Sequence, residues 1–186
     1  MALLFCAWRI TAQDKYFPAG SFNDSPRIDQ FTSEWYSKQL SALEEPSLLA
    51  SASARKGESY RFLWLRTFHQ PIAIRIDVNA DGTSQLTEKM GAGGSDPGHL
   101  VLNKAFTLTK EQTDSFLGTV KEGNLWKLPT TQKDQGLDGA QWIIELSKDG
   151  AYHIVERWCP KDGPIRTTGM MMVHKLGKVD VPGPTY

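Results

Sequence analysis

Residues 77–88, DVNADGTSQLTE, have the residue types and the spacing of a calcium-binding loop. They fit the pattern D-x-[DN]-x-[DN]-G-x5-E, in which carboxylate and amide oxygens coordinate the ion and a glycine permits a sharp turn. The oxygens would come from Asp77, Asn79, Asp81 and Glu88, and the turn from Gly82. The question is whether this segment is a calcium site or a β-turn with the same residues.

The flanks of this segment favour a β-hairpin without a metal. An EF-hand loop lies between two helices, but Pro71 precedes the segment and a glycine-rich stretch, 91–94, follows it. A three-residue hairpin loop, 80–82, fits better, and its register sends Asp77 and Glu88 to opposite faces of the sheet. We therefore expect no cofactor here. The alternative is calcium bound at the turn by a different set of ligands, Asp77, Asn79 and Asp81.

A carboxylate and a histidine in the last predicted hairpin form the candidate catalytic pair. Two alternating strands flank residues 148–150, Lys-Asp-Gly, which we interpret as a three-residue loop. That loop places Glu145 directly opposite His153, with Arg157 farther along the same face. A carboxylate can orient a histidine as a general base, and the arginine would contact an anion, as in a hydrolase. The alternative is a solvated sheet face with favourable cross-strand pairs.

Two charged residues are expected on strand faces that otherwise carry large apolar side chains. Arg66 shares its face with Trp64, and Glu156 shares its face with Trp142 across the hairpin. If the two strands are neighbours, Arg66 and Glu156 form a buried ion pair, which is costly to desolvate and is sometimes retained for function. The alternative is a purely structural pair, or a position near the end of the sheet.

Other chemistries have little support in the sequence. The stretch GAGGSDPG lacks the Gly-Lys-Ser/Thr ending of a phosphate loop, and a strand follows it. The four histidines have no zinc-ligand spacing, and no nucleophile elbow occurs. Lys+Arg and Asp+Glu both number 21, so the chain has no cationic excess with which to bind nucleic acid. No stretch is long enough to span a bilayer.

Two stretches near the C-terminus, GLDGAQWIIE and YHIVERWCP, carry a resemblance. They resemble a motif of small uncharacterised bacterial proteins, GLDGxxWxxE…YxxxxRWxP, over roughly residues 58–182. The resemblance implies a bacterial protein but no activity. The residues that carry it are Asp138, Trp142, Glu145, Tyr152, Arg157 and Trp158. Of these, Trp142 and Trp158 join Arg66 and Glu156 as candidate binding residues.

The pattern of helices and strands that position these residues predicts one α+β domain, 1–186. We expect an N-terminal helical segment at about 24–50, a sheet with its helices at about 59–177, and a short Pro/Gly tail at 178–186. The order is meander, helix, hairpin, helix, which favours an antiparallel sheet of about six strands with helices mainly on one face. The predicted strands are 60–68, 72–78, 83–90, 100–108, 140–147 and 151–158.

The first predicted helix has an apolar stripe that we expect to face the core. A capping side chain and a proline begin it at 23–26. The stripe consists of Ile28, Phe31, Trp35, Leu40 and Leu43.

The apolar N-terminus and the two cysteines leave the compartment undetermined. Residues 2–8 are apolar but too short, and without a basic start, for a signal peptide. They are interpreted as a packed segment or as the remnant of a longer signal. The default expectation is cytoplasmic, and a remnant would imply a periplasmic or secreted protein. Cys6 and Cys159 are expected to be two separate buried thiols.

Taken together, these features favour a non-catalytic binding or interaction domain whose partner, a small molecule or a protein, is unknown. The first alternative is a hydrolase-like enzyme that uses Glu145, His153 and Arg157. The second is a secreted domain stabilised by calcium at 77–88.

Overall fold

The computed structural model describes residues 15–93, 96–132, 136, 138–181, 183 and 185. The apolar N-terminal segment and Cys6 lie outside these residues. The helices are α1 (Pro26–Ala42), α2 (Leu48–Ser51), α3 (Lys110–Glu122) and α4 (Gly163–Met170), with a 3-10 turn at Leu125–Lys127 and a π-helical turn at Met171–Leu176. The strands are β1 (Gly57–Arg66), β2 (Ile72–Asn79), β3 (Ser84–Gly91), β4 (Leu100–Leu108), β5 (Ala140–Lys148) and β6 (Ala151–Trp158).

Within the described residues the strands form one antiparallel sheet in the order β4-β3-β2-β1-β5-β6. The predicted α+β class is therefore confirmed. The central strand β1 pairs with β2 on one side and with β5 on the other, so the last hairpin continues the meander at the β1 edge. No helix in the described residues is long and apolar enough to cross a membrane.

The helices are divided between the two faces of the sheet rather than gathered mainly on one. The first face, here called the α3–α4 face, carries Phe62, Trp64 and Trp142 and packs against α3, α4 and the π-helical turn. The second, here called the α1 face, carries Leu63 and Ile143 and packs against α1. Both faces of β1 and β5 are therefore buried, which explains the uninterrupted apolar runs at 62–65 and 142–144.

The β2–β3 hairpin has the predicted register. Its loop is 80–82, the backbone N–H of Asn79 donates to the carbonyl oxygen of Thr83 at 2.8 Å, and Gly82 has a φ of +83°. Asp77 pairs with Gln85 on the α1 face, whereas Glu88 pairs with Ile74 on the α3–α4 face. The two carboxylates of the calcium pattern are thus on opposite sides of the sheet.

The predicted register of the β5–β6 hairpin is wrong by one residue. Lys148 pairs with Ala151, so the loop has two residues, Asp149 and Gly150, with φ values of +49° and +83°. Two consecutive positive φ values are typical of a type I′ turn, whose twist matches that of the flanking strands. Side chains alternate between the two faces along a strand. A slip of one residue therefore puts each β5 side chain and its predicted β6 partner on opposite faces of the sheet.

The buried side of α1 also differs from the predicted stripe. Leu40 is buried as expected, but Ile28 and Phe31 are exposed, and Asp29 and Tyr36 face the core. The Asp29 carboxylate accepts hydrogen bonds of 2.7 and 2.8 Å from the backbone N–H groups of Gly20 and Phe22. These bonds satisfy a buried charge and hold the preceding loop against the helix, which sets the rotation of α1 about its axis.

Candidate functional site

A groove of about 430 Å³ lies between α1 and β6, on the α1 face near the β6 edge of the sheet. We call it the α1–β6 groove. Its described lining is mostly apolar or aromatic, with a few polar side chains. The residues are Phe22, Asn23, Ile28, Phe31, Thr32, Trp35, Tyr36, Gly136, Gln141, Glu156 and Trp158.

Helical and strand periodicity bring these side chains to one place. Ile28, Phe31 and Trp35 are three and four residues apart, so they follow one side of α1. On the sheet, Glu156 and Trp158 are two residues apart and therefore share a face of β6. Trp158 pairs across the hairpin with Gln141. One wall of the groove is therefore helical, and the other is the end of the sheet.

The carboxylate of Glu156 lines the groove and is hydrogen-bonded to the helix. The Tyr36 hydroxyl donates to its Oε1 at 2.7 Å. Burial raises the pKa of Glu156, although the hydrogen bond from Tyr36 and the charge of Arg157 act in the opposite direction. Burial and this carboxylate both raise the pKa of Tyr36. A charged group held in a partly dry apolar groove is a typical feature of a binding site.

The structure does not bring the candidate catalytic residues together. Because of the register slip, Glu145 pairs with Ile154 on the α1 face, and His153 pairs with Leu146 on the α3–α4 face. The predicted pairing of Glu145 with His153 is therefore wrong. The sheet itself separates the two side chains, so this glutamate cannot orient this histidine as a base.

Glu145 instead belongs to a buried ion pair. Its Oε2 lies 2.5 Å from Nη2 and 2.6 Å from Nε of Arg61, and both side chains are fully buried. The Tyr152 hydroxyl donates to the other oxygen of Glu145 at 2.9 Å. Burial raises the pKa of Glu145, and the charge of Arg61 opposes that effect.

The same network continues to the loop between α1 and α2. Glu45 lies 3.4 Å from Arg61, 3.0 Å from Arg75 and 3.3 Å from Lys89, measured from carboxylate oxygen to cationic nitrogen. Arg61 also donates to the backbone carbonyl of Pro46 at 2.5 Å. These contacts fasten the α1–α2 loop to the sheet, so their role is to hold α1 in place.

The side chains of His153 and Arg157 contact residues 128–130, which lie along the outer edge of β6. A ring nitrogen of His153 lies 3.0 Å from the carbonyl oxygen of Leu128. The Arg157 guanidinium donates to the carbonyl oxygens of Pro129 and Thr130 at 2.9 and 3.1 Å. Both side chains therefore bind main-chain oxygens of residues 128–130, which protects this edge of the sheet.

The predicted ion pair between Arg66 and Glu156 is not formed. Arg66 is on β1 and Glu156 on β6, and β5 lies between these strands. The Arg66 guanidinium is 4.7 Å from the ring centre of Trp64, on the α3–α4 face, whereas Glu156 contacts α1. Trp142 is fully buried on the α3–α4 face, 5.1 Å from Trp64 between ring centres. Of the four candidate binding residues, Glu156 and Trp158 line the groove.

The turn of the calcium pattern has its side chains bonded to protein groups. Asp77 forms ion pairs with Arg75 and Arg55 and accepts a hydrogen bond of 2.6 Å from Ser59. Asp81 accepts one of 2.6 Å from the Thr83 hydroxyl. Among the residues that the structure describes, no group of three or more His, Cys, Asp or Glu side chains is arranged to hold a metal ion. The absence of a cofactor stays a prediction.

The residues that sequence reasoning missed are Tyr36 and the helical wall of the groove. The sequence pattern places Ile28, Phe31 and Trp35 in the core, but Ile28 and Phe31 are exposed, and Trp35 is half-buried at its edge. The helical geometry contained a signal, because at about 100° per residue these three lie roughly 110° around the helix from Tyr36, Leu40 and Leu43. A helix cannot direct two rows of side chains that lie this far apart toward the same sheet.

Comparisons with known proteins leave the fold and the groove as the basis for inferring function. The chain matches no family model and no curated protein. The resemblance in the last hairpin therefore stays an expectation.

Proposed function

We propose that this protein is a non-catalytic binding domain and that the α1–β6 groove is its ligand site. The observation that carries the proposal is the exposure of apolar side chains at this one place. The described residues leave four large apolar side chains exposed, and two of them, Phe31 at 71% and Ile28 at 50%, line the groove. A cluster of exposed apolar side chains beside a concavity marks an interaction site more often than isolated ones do.

The size and lining of the groove favour a small molecule over a protein partner. Small-molecule sites have volumes of about 300–1,000 Å³, apolar walls and a few polar groups that fix orientation. At about 430 Å³ the groove lies within that range. Its polar groups are the Glu156 carboxylate with the Tyr36 hydroxyl bonded to it, the Gln141 amide and, at the helical side, Asn23 and Thr32.

The two alternatives have less support from the geometry. The hydrolase requires Glu145 beside His153, and these side chains are on opposite sides of the sheet. The calcium site requires carboxylates at the 77–88 turn that are free to bind an ion, and Asp77 is already paired with arginines. The binding domain requires only the groove.

A screen of aromatic fragments, read by NMR, tests the proposal. Fragments of positive, neutral and negative charge are added to ¹⁵N-labelled protein, and the indole N–H signals are followed. We expect binders to move the signal of Trp35, which lines the groove, and to leave Trp64 and Trp142, which are fully buried elsewhere, unmoved.

A pair of matched variants distinguishes the groove from general surface stickiness. Phe31→Ser removes an exposed ring from the groove, and Phe68→Ser removes an equally exposed ring, 78%, that does not line it. We expect Phe31→Ser to weaken fragment binding about tenfold, the equivalent of roughly 1.4 kcal/mol, and Phe68→Ser to have no effect. Fragments that act equally on both variants, or that never move Trp35, would contradict the proposal.

A further inference from the structure

We propose that the ligand of the α1–β6 groove is an organic cation: an ammonium group carried on an apolar or aromatic skeleton. This inference rests on the proposed function, and it adds the chemical class of the ligand. It is carried by the charge and the rings of the lining.

The described residues that line the groove carry one charged side chain, and its charge is negative. Glu156 is the one acidic or basic side chain among the described residues that line the groove. It is hydrogen-bonded to Tyr36, and within the described part of the chain it has no salt-bridge partner. Its neighbour Arg157 directs its guanidinium to the carbonyl oxygens of Pro129 and Thr130. A carboxylate in a partly dry site gains most from a cation, since the Tyr36 hydroxyl and the charge of Arg157 offset only part of its desolvation.

The aromatic rings around this carboxylate have the same preference. Phe31, Trp35 and Trp158 line the groove with Tyr36, and the faces of such rings are electronegative. A cation above an aromatic face gains about 0.5–2 kcal/mol, with the larger value where water is excluded. Ammonium groups on a carbon skeleton suit both features, because the skeleton covers the apolar wall and the charge meets the rings and the carboxylate.

Ligands of other charge fit the groove less well. An anionic ligand would be repelled by Glu156 and by the ring faces. A neutral apolar ligand would cover the carboxylate and desolvate it further without supplying a counter-ion, which is costly. The lining therefore discriminates by charge as well as by shape.

Three probes that share a benzyl group and differ in charge test the inference. Benzyltrimethylammonium is the cation, its uncharged carbon isostere is the neutral probe, and phenylacetate is the anion. Each is titrated into ¹⁵N-labelled protein while the Trp35 indole signal is followed. We expect the cation to bind about tenfold more tightly than the neutral isostere, and the anion to bind more weakly than either.

Glu156→Gln removes the charge and keeps an oxygen that accepts from Tyr36. We expect it to weaken binding of the cation about tenfold and to leave the neutral probe unchanged or slightly improved. The matched control is Glu34→Gln, which removes an exposed carboxylate from α1, the helical wall of the groove, at a position outside the groove where it contacts Gln30. This control should not change the affinity for any probe. Amide spectra that are unchanged away from the groove establish that both variants are folded.

The outcomes separate this inference from the proposed function. If the neutral probe moves Trp35 with the same affinity as the cation, and Glu156→Gln has no effect, the groove binds ligands but the cation inference is wrong. If no probe of any charge moves Trp35, both the inference and the proposed function are wrong.

Discussion

Arg61→Met should destabilise the protein severely, because it removes the cation from a dry cluster of charges. Arg61 is fully buried on β1. Its guanidinium lies 2.5 Å from a Glu145 oxygen and 3.4 Å from a Glu45 oxygen. In the variant, Glu45 keeps Arg75 and Lys89 as ion-pair partners. Among the described residues, Arg61 is the one ion-pair partner of Glu145. The substitution therefore leaves one carboxylate buried without a counter-ion.

The expected cost follows from that unpaired charge. Removing one partner of a buried ion pair typically costs about 3–5 kcal/mol, because the remaining charge is desolvated without compensation. Domains of this kind have a total stability of about 5–15 kcal/mol, so the loss is a large fraction of it. With a urea dependence of about 2 kcal/mol per M, the unfolding midpoint should fall by about 2 M.

The double variant Arg61→Met/Glu145→Gln tests the cause of this loss. The glutamine removes the unpaired charge and keeps an oxygen to accept the hydrogen bond from Tyr152. We expect urea unfolding, followed by tryptophan fluorescence, to show that the double variant recovers at least half of the lost stability. The contribution of the methionine packing is the same in both proteins and cancels from the comparison.

The pH dependence of the single variant gives a second measurement. Burial raises the pKa of Glu145, and Arg61 opposes this, so the pKa rises further when Arg61 is removed. A carboxyl whose pKa is higher in the folded than in the unfolded state destabilises the fold fully above the folded-state pKa. This destabilisation declines as the pH falls and is gone below the unfolded-state pKa. The gap between the single and double variants should therefore narrow as the pH falls. A cost below about 1 kcal/mol, or a double variant no more stable than the single one, would refute the reasoning.

Three further predictions concern the core, the turn and the groove. Trp64→Ala should cost about 3–5 kcal/mol in urea unfolding because Trp64 is fully buried, whereas Phe31→Ser should cost less than about 0.5 kcal/mol; equal losses would contradict the burial. Millimolar calcium should leave the melting temperature unchanged, and a rise that EDTA reverses would contradict this. Because burial raises the pKa of Glu156, its charge opposes folding at pH 7, so Glu156→Gln should raise the melting temperature there but not at pH 3, where both forms are neutral. An equal shift at both pH values would refute that assignment.

The two hairpins show where local sequence was sufficient to predict structure and where it was not. For β2–β3 the apolar alternation and the position of Gly82 favour the same register, and that register was confirmed. For β5–β6 the residues 148–150 fit a three-residue loop and also a two-residue Asp-Gly turn. In the three-residue register only Glu156 of these polar residues opposes an apolar partner, whereas in the observed register Glu145, His153 and Glu156 all do. The alternation therefore favoured the wrong loop.

The buried ion pair lay beyond local reasoning for a different reason. Arg61 pairs directly with Glu145 only because β5 inserts beside β1, which brings together residues 84 positions apart. Nothing in either segment specifies that neighbour. The polarity of Arg61 was visible in the sequence, but on a strand with one exposed face it would have been solvated. It became a buried charge because α1 and the loop after it cover that face.

The groove arises from the same covering helix. Two apolar arcs on α1 compete for the sheet, and the side chain that decides between them is a polar one, Asp29, whose bonds to the N–H groups of Gly20 and Phe22 require it to face inward. Tyr36 and Leu40 then follow Asp29 into the core, and the arc of Phe31 must remain outside. When the apolar side chains of a surface helix extend farther around the helix than the sheet can cover, some of them stay exposed to water. Here the exposed apolar side chains of α1 lie beside the end of β6 and line the same groove as the Glu156 carboxylate. The groove is therefore a consequence of how Asp29 fixes the rotation of α1.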